Sequence, residues 1–380
     1  MLPYLQSLQS AQNRRDDNQK AASNKGRAEM RVIDTQQARG LLRSTDAIDA
    51  PIFLTRQSIP FIDTGDGAVR PVEQVFEWLP NPDEKSEMYD HEAKDEDDTM
   101  PKRNVPIPEI RARFLDERPE EPARFPWNFP ELTLPASICM LPSILRHPSC
   151  DLLGSLVRYL QTIELVDVCT TACPHHGKTA EKCPDHMLTS NEVIALQRVH
   201  QHWAGTAMIA EAGAMTGPHC DTFGFGTYIC CGEGEIGLAW STNEPSAKTK
   251  QQKRPTPKDG WAFKVLRRGD AMYLDPGRWH YVFRKPGGAQ TMAWSVRVLR
   301  SCDLERWLQI VQSEVDKAID ESVVDDSEDI LTWRGLLLSA EKLIEQAKEN
   351  EGLERFGGEK TVHRAEAVMR KAETALKHLL

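Results

Sequence analysis

Long apolar runs are missing from this chain: none approaches the roughly 20 residues that a membrane-spanning helix needs. The first residues contain no apolar stretch of the kind that forms the core of a secretory leader. Positive charge is also in deficit, with 47 Lys and Arg against 57 Asp and Glu and a formal net charge of -10. A basic surface is what supplies affinity for nucleic acid, so neither direct nucleic-acid binding nor a membrane partner is expected. No internal repeat is visible. Nine cysteines without a leader point to a reducing, intracellular setting, nucleus or cytoplasm. In such a setting clustered cysteines more often hold a metal than form a disulfide framework. What the 380 residues do have is 40% hydrophobic content and nine tryptophans, enough for a folded protein with a sizeable core.

Residues 1–27 read as a polar tail. Residues 28–200 carry helical and strand elements, with a helix expected over Met30 to Arg43 and a short buried strand in "APIFLT" at 50–55. Residues 81–124 are acidic and proline-rich and read as a long exposed insert. Helical spacing returns at Leu152, Leu153, Leu156, Leu160 and Ile163, and again in "SNEVIALQRVHQHW", where Ser190 or Asn191 is the cap. From 201 to 300 the text becomes short β-rich runs separated by Gly, Pro and Asp, the pattern of an antiparallel sandwich or barrel. Residues 301–380 read as a helical region. Leu304, Trp307, Leu308, Val311, Val315 and Ile319 line one face, which packs either on the barrel or on a second subunit in a homodimer. Further helices are expected at about 328–348 and 361–379.

Chemistry concentrates in "TGPHCDTFGFG" at 216–226. Residues two apart on a strand share a face, so His219 and Asp221 can aim at one point. A third ligand is offered by "RRGDAMYLDPGRWHYVFR" at 267–284, where two tight turns bracket a short strand and His280 opens the next. Two histidines and one carboxylate on one face of a metal leave its other positions open, the arrangement of non-haem Fe(II) oxygenases.

These stretches, with "TMAWSVRVLRSCDLERWLQIV" after them, resemble the JmjC (jumonji C) domain of the cupin superfamily, in particular the JmjC-like proteins of filamentous fungi. The resemblance runs over about 202–312, is looser over 28–200 and fades in roughly the last 65 residues. It implies a mainly β fold with α elements: a double-stranded β-helix with flanking helices and the C-terminal helical region. It also implies an Fe(II)- and 2-oxoglutarate-dependent dioxygenase that hydroxylates or demethylates a protein, peptide or small molecule, with His219, Asp221 and His280 as iron ligands and catalytic centre. Thr216, three residues before the first histidine, stands where family members hold the distal carboxylate of 2-oxoglutarate. The lysine usually paired with it is replaced by Glu233, fourteen residues after His219. Arg297 is the first choice to substitute, with Lys264 and Arg284 as further cations and Tyr228 offering a hydroxyl. Alternatives are a metal-binding scaffold of the same fold without turnover and a cupin enzyme that does not use 2-oxoglutarate.

A second cluster, "DVCTTACPHHGKTAEKCPDH" at 167–186, has the spacing C-x3-C-x9-C-x2-H. Cys169, Cys173, Cys183 and either His186 or His175 supply the four ligands of a structural zinc. The basic stretch "KTKQQKRPTPK" at 248–258 reads as a solvated hairpin insertion rather than a nuclear localisation signal.

Overall fold

The computed structural model describes residues 30–79, 85–89, 102–115, 126–135, 137, 140–162, 203, 205–242, 260–320 and 327–376. The predicted polar tail, the Cys/His cluster, the second predicted helix apart from Trp203, and the basic loop lie outside these residues. Among them, no helix is long and apolar enough to cross a membrane. The chain divides into a β-rich unit and a helical unit.

The β-rich unit is built on two large sheets. One has seven strands: β1 (Arg31–Val32), β2 (Ile52–Leu54), β5 (Asn128–Thr133), β6 (Thr206–Ala210), β8 (Gly226–Glu233), β11 (Ala271–Leu274) and β13 (Thr291–Val298). Their order is β1-β2-β11-β8-β13-β6-β5. The other has four: β7 (Met215–His219), β9 (Glu235–Ser241), β10 (Trp261–Arg267) and β12 (His280–Phe283), ordered β10-β9-β12-β7. Pairings are antiparallel except β1 with β2. Alternate residues of both sheets meet in one apolar core: Ile229, Cys231, Met272 and Ala293 from the first, Leu238, Trp240, Leu266 and Val282 from the second. The short, nearly continuous apolar runs that mark these strands in the sequence fit strands buried on both faces.

Three helices among the described residues belong to this unit. Asp34 and Gln37 form a capping box at the start of α1 (Thr35–Arg43). Helix α2 (Pro71–Trp78) opens on proline and gets no hydrogen bond from the side chain of Arg70 at its cap. Instead the Glu233 carboxylate, from the end of β8, accepts from the Val72 amide at 3.3 Å and pairs with Arg70. Helix α3 (Ile107–Leu115) follows a hairpin of β3 (Lys85–Tyr89) and β4 (Lys102–Pro106). This corrects the reading of 81–124 as one exposed insert. Met88, Val105, Ile107, Ile110 and Phe114 are buried, spaced among charges that mask their periodicity.

The helical unit contains α4 (Leu152–Thr162), α5 (Leu304–Asp320), α6 (Ser327–Glu349) and α7 (Glu359–Leu376). Leu304, Trp307, Leu308, Val311 and Val315 are buried. Helix α5 packs against α7, which buries Val362, Ala365, Met369 and Ala372. The α5 stripe thus has a covering helix in its own unit, a third possibility beside the barrel and the second subunit.

Candidate metal centre

Strand β7 ends at His219, and β12 begins at His280. The two are directly opposed across the antiparallel ladder, with imidazole centroids 4.3 Å apart. Asp221 sits two residues past the end of β7 in extended conformation, with its carboxylate on the histidines' side. One ligand atom from each of His219, Asp221 and His280 lies within 4.8 Å of the others, a group that could hold a metal ion. The chain then bends through a 3-10 turn (Thr222–Gly224) with Phe223 in the left-handed region, at φ 59°. That backbone is unfavourable for a non-glycine residue. The buried Phe223 ring is held 5.7 Å from Trp203 and 6.2 Å from Phe225.

Both imidazoles are oriented in the same way. His219 Nδ1 lies 2.7 Å from the Gly217 carbonyl and His280 Nδ1 lies 3.0 Å from that of Arg278. A carbonyl only accepts, so each Nδ1 carries the proton and each Nε2 keeps its lone pair free for a metal. The loop that delivers His280 is fixed by a buried pair: Arg278 donates from Nε to Asp275 Oδ1 at 2.9 Å and from Nη2 to Oδ2 at 3.1 Å. The same guanidinium donates to the carbonyls of Ser241 and Asp49. Gly277, inside this turn, takes φ 71°.

The protonation states suit a metal. Burial alone would raise the Asp221 carboxyl, but Arg297, the two histidines and the Thr227 hydroxyl outweigh it and bring it down to about 2. Burial lowers His280 to about 4, helped by its neighbour His219 and opposed by Asp221. Asp221 and His280 are therefore an anion and a neutral imidazole at neutral pH, the states a metal requires. A cavity of about 400 Å³ opens beside the group and is lined by Thr216, His219, Asp221 and Arg297, with Met88 and Glu131 toward its β3 and β5 sides.

The other predicted residues separate. Thr216 is in the cavity wall and accepts from Asn128 Nδ2 at 3.1 Å. Arg297 also lines the cavity, but its guanidinium is engaged: it pairs with Asp221 and donates to Thr227 Oγ1 and to Glu131 Oε1, each at 3.0 Å. Tyr228 follows Thr227, which touches Asp221, so its ring points to the other face of β8, 6.4 Å from Trp294. Lys264 is outside the cavity lining, with its ammonium 4.6 Å from the centre of the Phe53 ring. Glu233, bound to α2, is likewise absent from the lining. Thr227, Asn128 and the Asp275–Arg278 pair had no signal in the sequence, since each acts through a partner distant in the chain or through the turn itself. Arg284, the remaining cation named above, is buried and likewise absent from the lining, donating to Thr291 Oγ1 at 3.2 Å and Asn128 Oδ1 at 3.4 Å.

No family model matches the chain, and no curated protein matches it. Solved structures similar in part include the Drosophila melanogaster CENP-C cupin domain and Drosophila melanogaster CENP-C bound to CAL1, each 12% identical with a TM-score of 0.19. Both matches cover 24% of this chain, and 59% and 60% of those chains respectively. Peruvianin-I, a cysteine peptidase from Thevetia peruviana latex, matches at 18% identity and the same TM-score of 0.19 over 25% of this chain and 49% of its own. This chain thus spans less than two thirds of each. Similarity at that level carries no argument about fold or function, as the equal scores of a cupin and a peptidase illustrate.

Proposed function

We propose that the protein is a metal-dependent oxygenase of JmjC type, with a double-stranded β-helix core, Fe(II) at His219, Asp221 and His280, and 2-oxoglutarate as cosubstrate. The observation that carries this reading is the grouping of one ligand atom each from His219, Asp221 and His280 within 4.8 Å of one another, with His219 and Asp221 in the wall of a cavity. The donor set fits: two imidazoles held in one tautomer and one ionised carboxylate on a single side, leaving the opposite side open. When bound, Fe(II) and a 2-oxo acid would supply electrons that activate O₂, which is the oxidant of the substrate C–H bond. The chain's residues hold and orient. The Gly217 and Arg278 carbonyls fix the rings, Thr227 and Arg297 fix the carboxylate, and the Asp275–Arg278 pair holds the His280 loop. Met88 and Leu132 place apolar surface beside the polar group and restrict water. The test is succinate formation from 2-oxoglutarate by the full chain with Fe(II) and O₂, expected in the native protein and absent in His219→Ala. A second reading, a metal-binding scaffold without turnover, is favoured by the ion pair between Arg297 and Asp221, which competes with a metal for that carboxylate. It predicts iron binding with no succinate.

A further inference from the structure

Both oxygens of the Asp221 carboxylate are engaged. Oδ2 accepts from the Thr227 hydroxyl, and Oδ1 pairs with Arg297 Nη1. Thr227 and Arg297 are directly opposed across the β8–β13 ladder, so the register that seats one beside Asp221 seats the other. The carboxylate side chain is 5% exposed and that of Arg297 16%, so water screens the pair poorly. A divalent cation at the His219, Asp221 and His280 group needs an oxygen of that same carboxylate. Metal and guanidinium are like charges, and Asp221 satisfies one of them fully only at the expense of the other.

The fold supplies Arg297 with a second acceptor. Its Nη2 donates to Glu131 Oε1 at 3.0 Å, while Nη1 also donates to Thr227 Oγ1 at 3.0 Å. Glu131 lies on β5, at the edge of the seven-stranded sheet. Phe129 pairs with Ile209 and Leu132 with Ala207, so β5 carries one extra residue between those pairs. Such a bulge re-aims a side chain. Pro130, beside Glu131, fits an edge strand that needs no amide there. Glu131 lines the same cavity as Arg297 and Asp221 but is not one of the three grouped ligands. One guanidinium is thus held between a buried carboxylate that a metal can use and an exposed one outside the metal group.

We infer that Arg297 is an internal counter-ion that a metal displaces: it neutralises Asp221 in the metal-free chain, and metal binding transfers it to Glu131. This rests on the metal group of the reading above and not on its oxygenase chemistry. The sign of the effect is opposite to that of ordinary support. A residue that only orients Asp221 strengthens metal binding, and removing it weakens the site. A counter-ion competes, so removing it strengthens metal binding. It also leaves Asp221 buried without a cation, which makes the metal-free fold less stable. Glu131 acts in the reverse direction, because it draws the guanidinium away from Asp221.

The test is anaerobic titration of the full chain with Fe(II) against a competing chromophoric chelator. Thermal melting of the metal-free and iron-loaded protein runs alongside. Arg297→Met should bind Fe(II) about tenfold more tightly than the native protein, the range of a charge-assisted hydrogen bond. Its metal-free melting temperature should fall, and iron should raise it by more than it raises the native one. Glu131→Gln should bind Fe(II) about two- to fivefold more weakly, the range of an exposed ion pair. In the Arg297→Met background the glutamine substitution should change nothing, since no guanidinium is left to share. Arg297→Lys, which keeps the charge but not the two-nitrogen fork, should lie between the native protein and the methionine variant in iron affinity. It carries the test if the methionine variant does not fold. Iron held no more tightly by the folded Arg297 variants than by the native chain overturns the counter-ion and leaves the metal group standing. Unchanged iron affinity in Glu131→Gln overturns the transfer. Iron bound by neither the native chain nor an Arg297 variant overturns the metal group, and the counter-ion with it.

Discussion

Acidification should destabilise the metal-free protein through His280 before the carboxylates titrate. In the unfolded chain that imidazole titrates near its ordinary 6.5, whereas burial between the sheets lowers it to about 4 in the fold. As the pH falls from 6.5 to about 4, the unfolded chain takes up a proton that the folded one refuses, so stability falls with it. At about 1.4 kcal/mol per pH unit, the full effect is about 3 kcal/mol, reached at the lower end of that window. Asp221 acts in a separate window. Its carboxyl is held down to about 2, so its contribution is intact above the ordinary carboxylate value of 3.8 and is lost only below it. Urea denaturation with a chelator present, repeated from about pH 7 to about pH 4.5, measures the difference. Other groups titrate there as well, so the reference is His280→Gln, which keeps the shape of the site without the proton equilibrium. The native protein should lose about 2 kcal/mol more than the variant across that range. Parallel stability curves for the two would refute a buried neutral His280.

Three other substitutions address the surroundings of the site. Tyr228→Phe should leave iron and 2-oxo acid affinity unchanged and should not lower stability, because the hydroxyl is buried on the far face of β8 with no partner among the described residues; a large loss of acid affinity in a titration would contradict that placement. Glu233→Ala removes the carboxylate that caps α2 and should cost about 1 kcal/mol in urea denaturation, with 2-oxo acid binding intact. Arg278→Met leaves Asp275 buried without its partner and should cost about 3–5 kcal/mol. It should also weaken iron binding in the fraction that folds, because the same pair holds the loop ending at His280; undiminished iron affinity would show that the loop needs no such support.

The elements that could be read from the sequence are those whose periodicity is undisturbed. The strands over 206–299 are short apolar, β-branched and aromatic runs bounded by Gly, Pro and Asp, and the α5 stripe repeats with a helical period, so their type follows from the pattern. The HxD pair could be read because residues two apart on a strand share a face. Register could not: a shift of one residue would have moved His280 away from His219, and only the β7–β12 pairing sets it. The face of Tyr228 depends on the contact of Thr227 with Asp221, a tertiary fact. Glu233 could not be resolved because its partner Arg70 is 163 positions away. The hairpin and helix over 85–115 escaped notice because Met88, Val105, Ile110 and Phe114 are sparse among charges, and the buried side of a short element needs only a few such residues. Asn128 reaches Thr216 from 88 positions away, a neighbour that no local pattern announces.

The central claim is that His219, Asp221 and His280 together hold one iron. Anaerobic titration of the full chain with Fe(II), with bound iron counted per chain, tests it most directly when the native protein is compared with Asp221→Ala. One equivalent is predicted in the native protein, lost in the variant while its fold, followed by circular dichroism, is retained. An equal count of tightly bound iron in the folded variant, or none in the native protein, would contradict it.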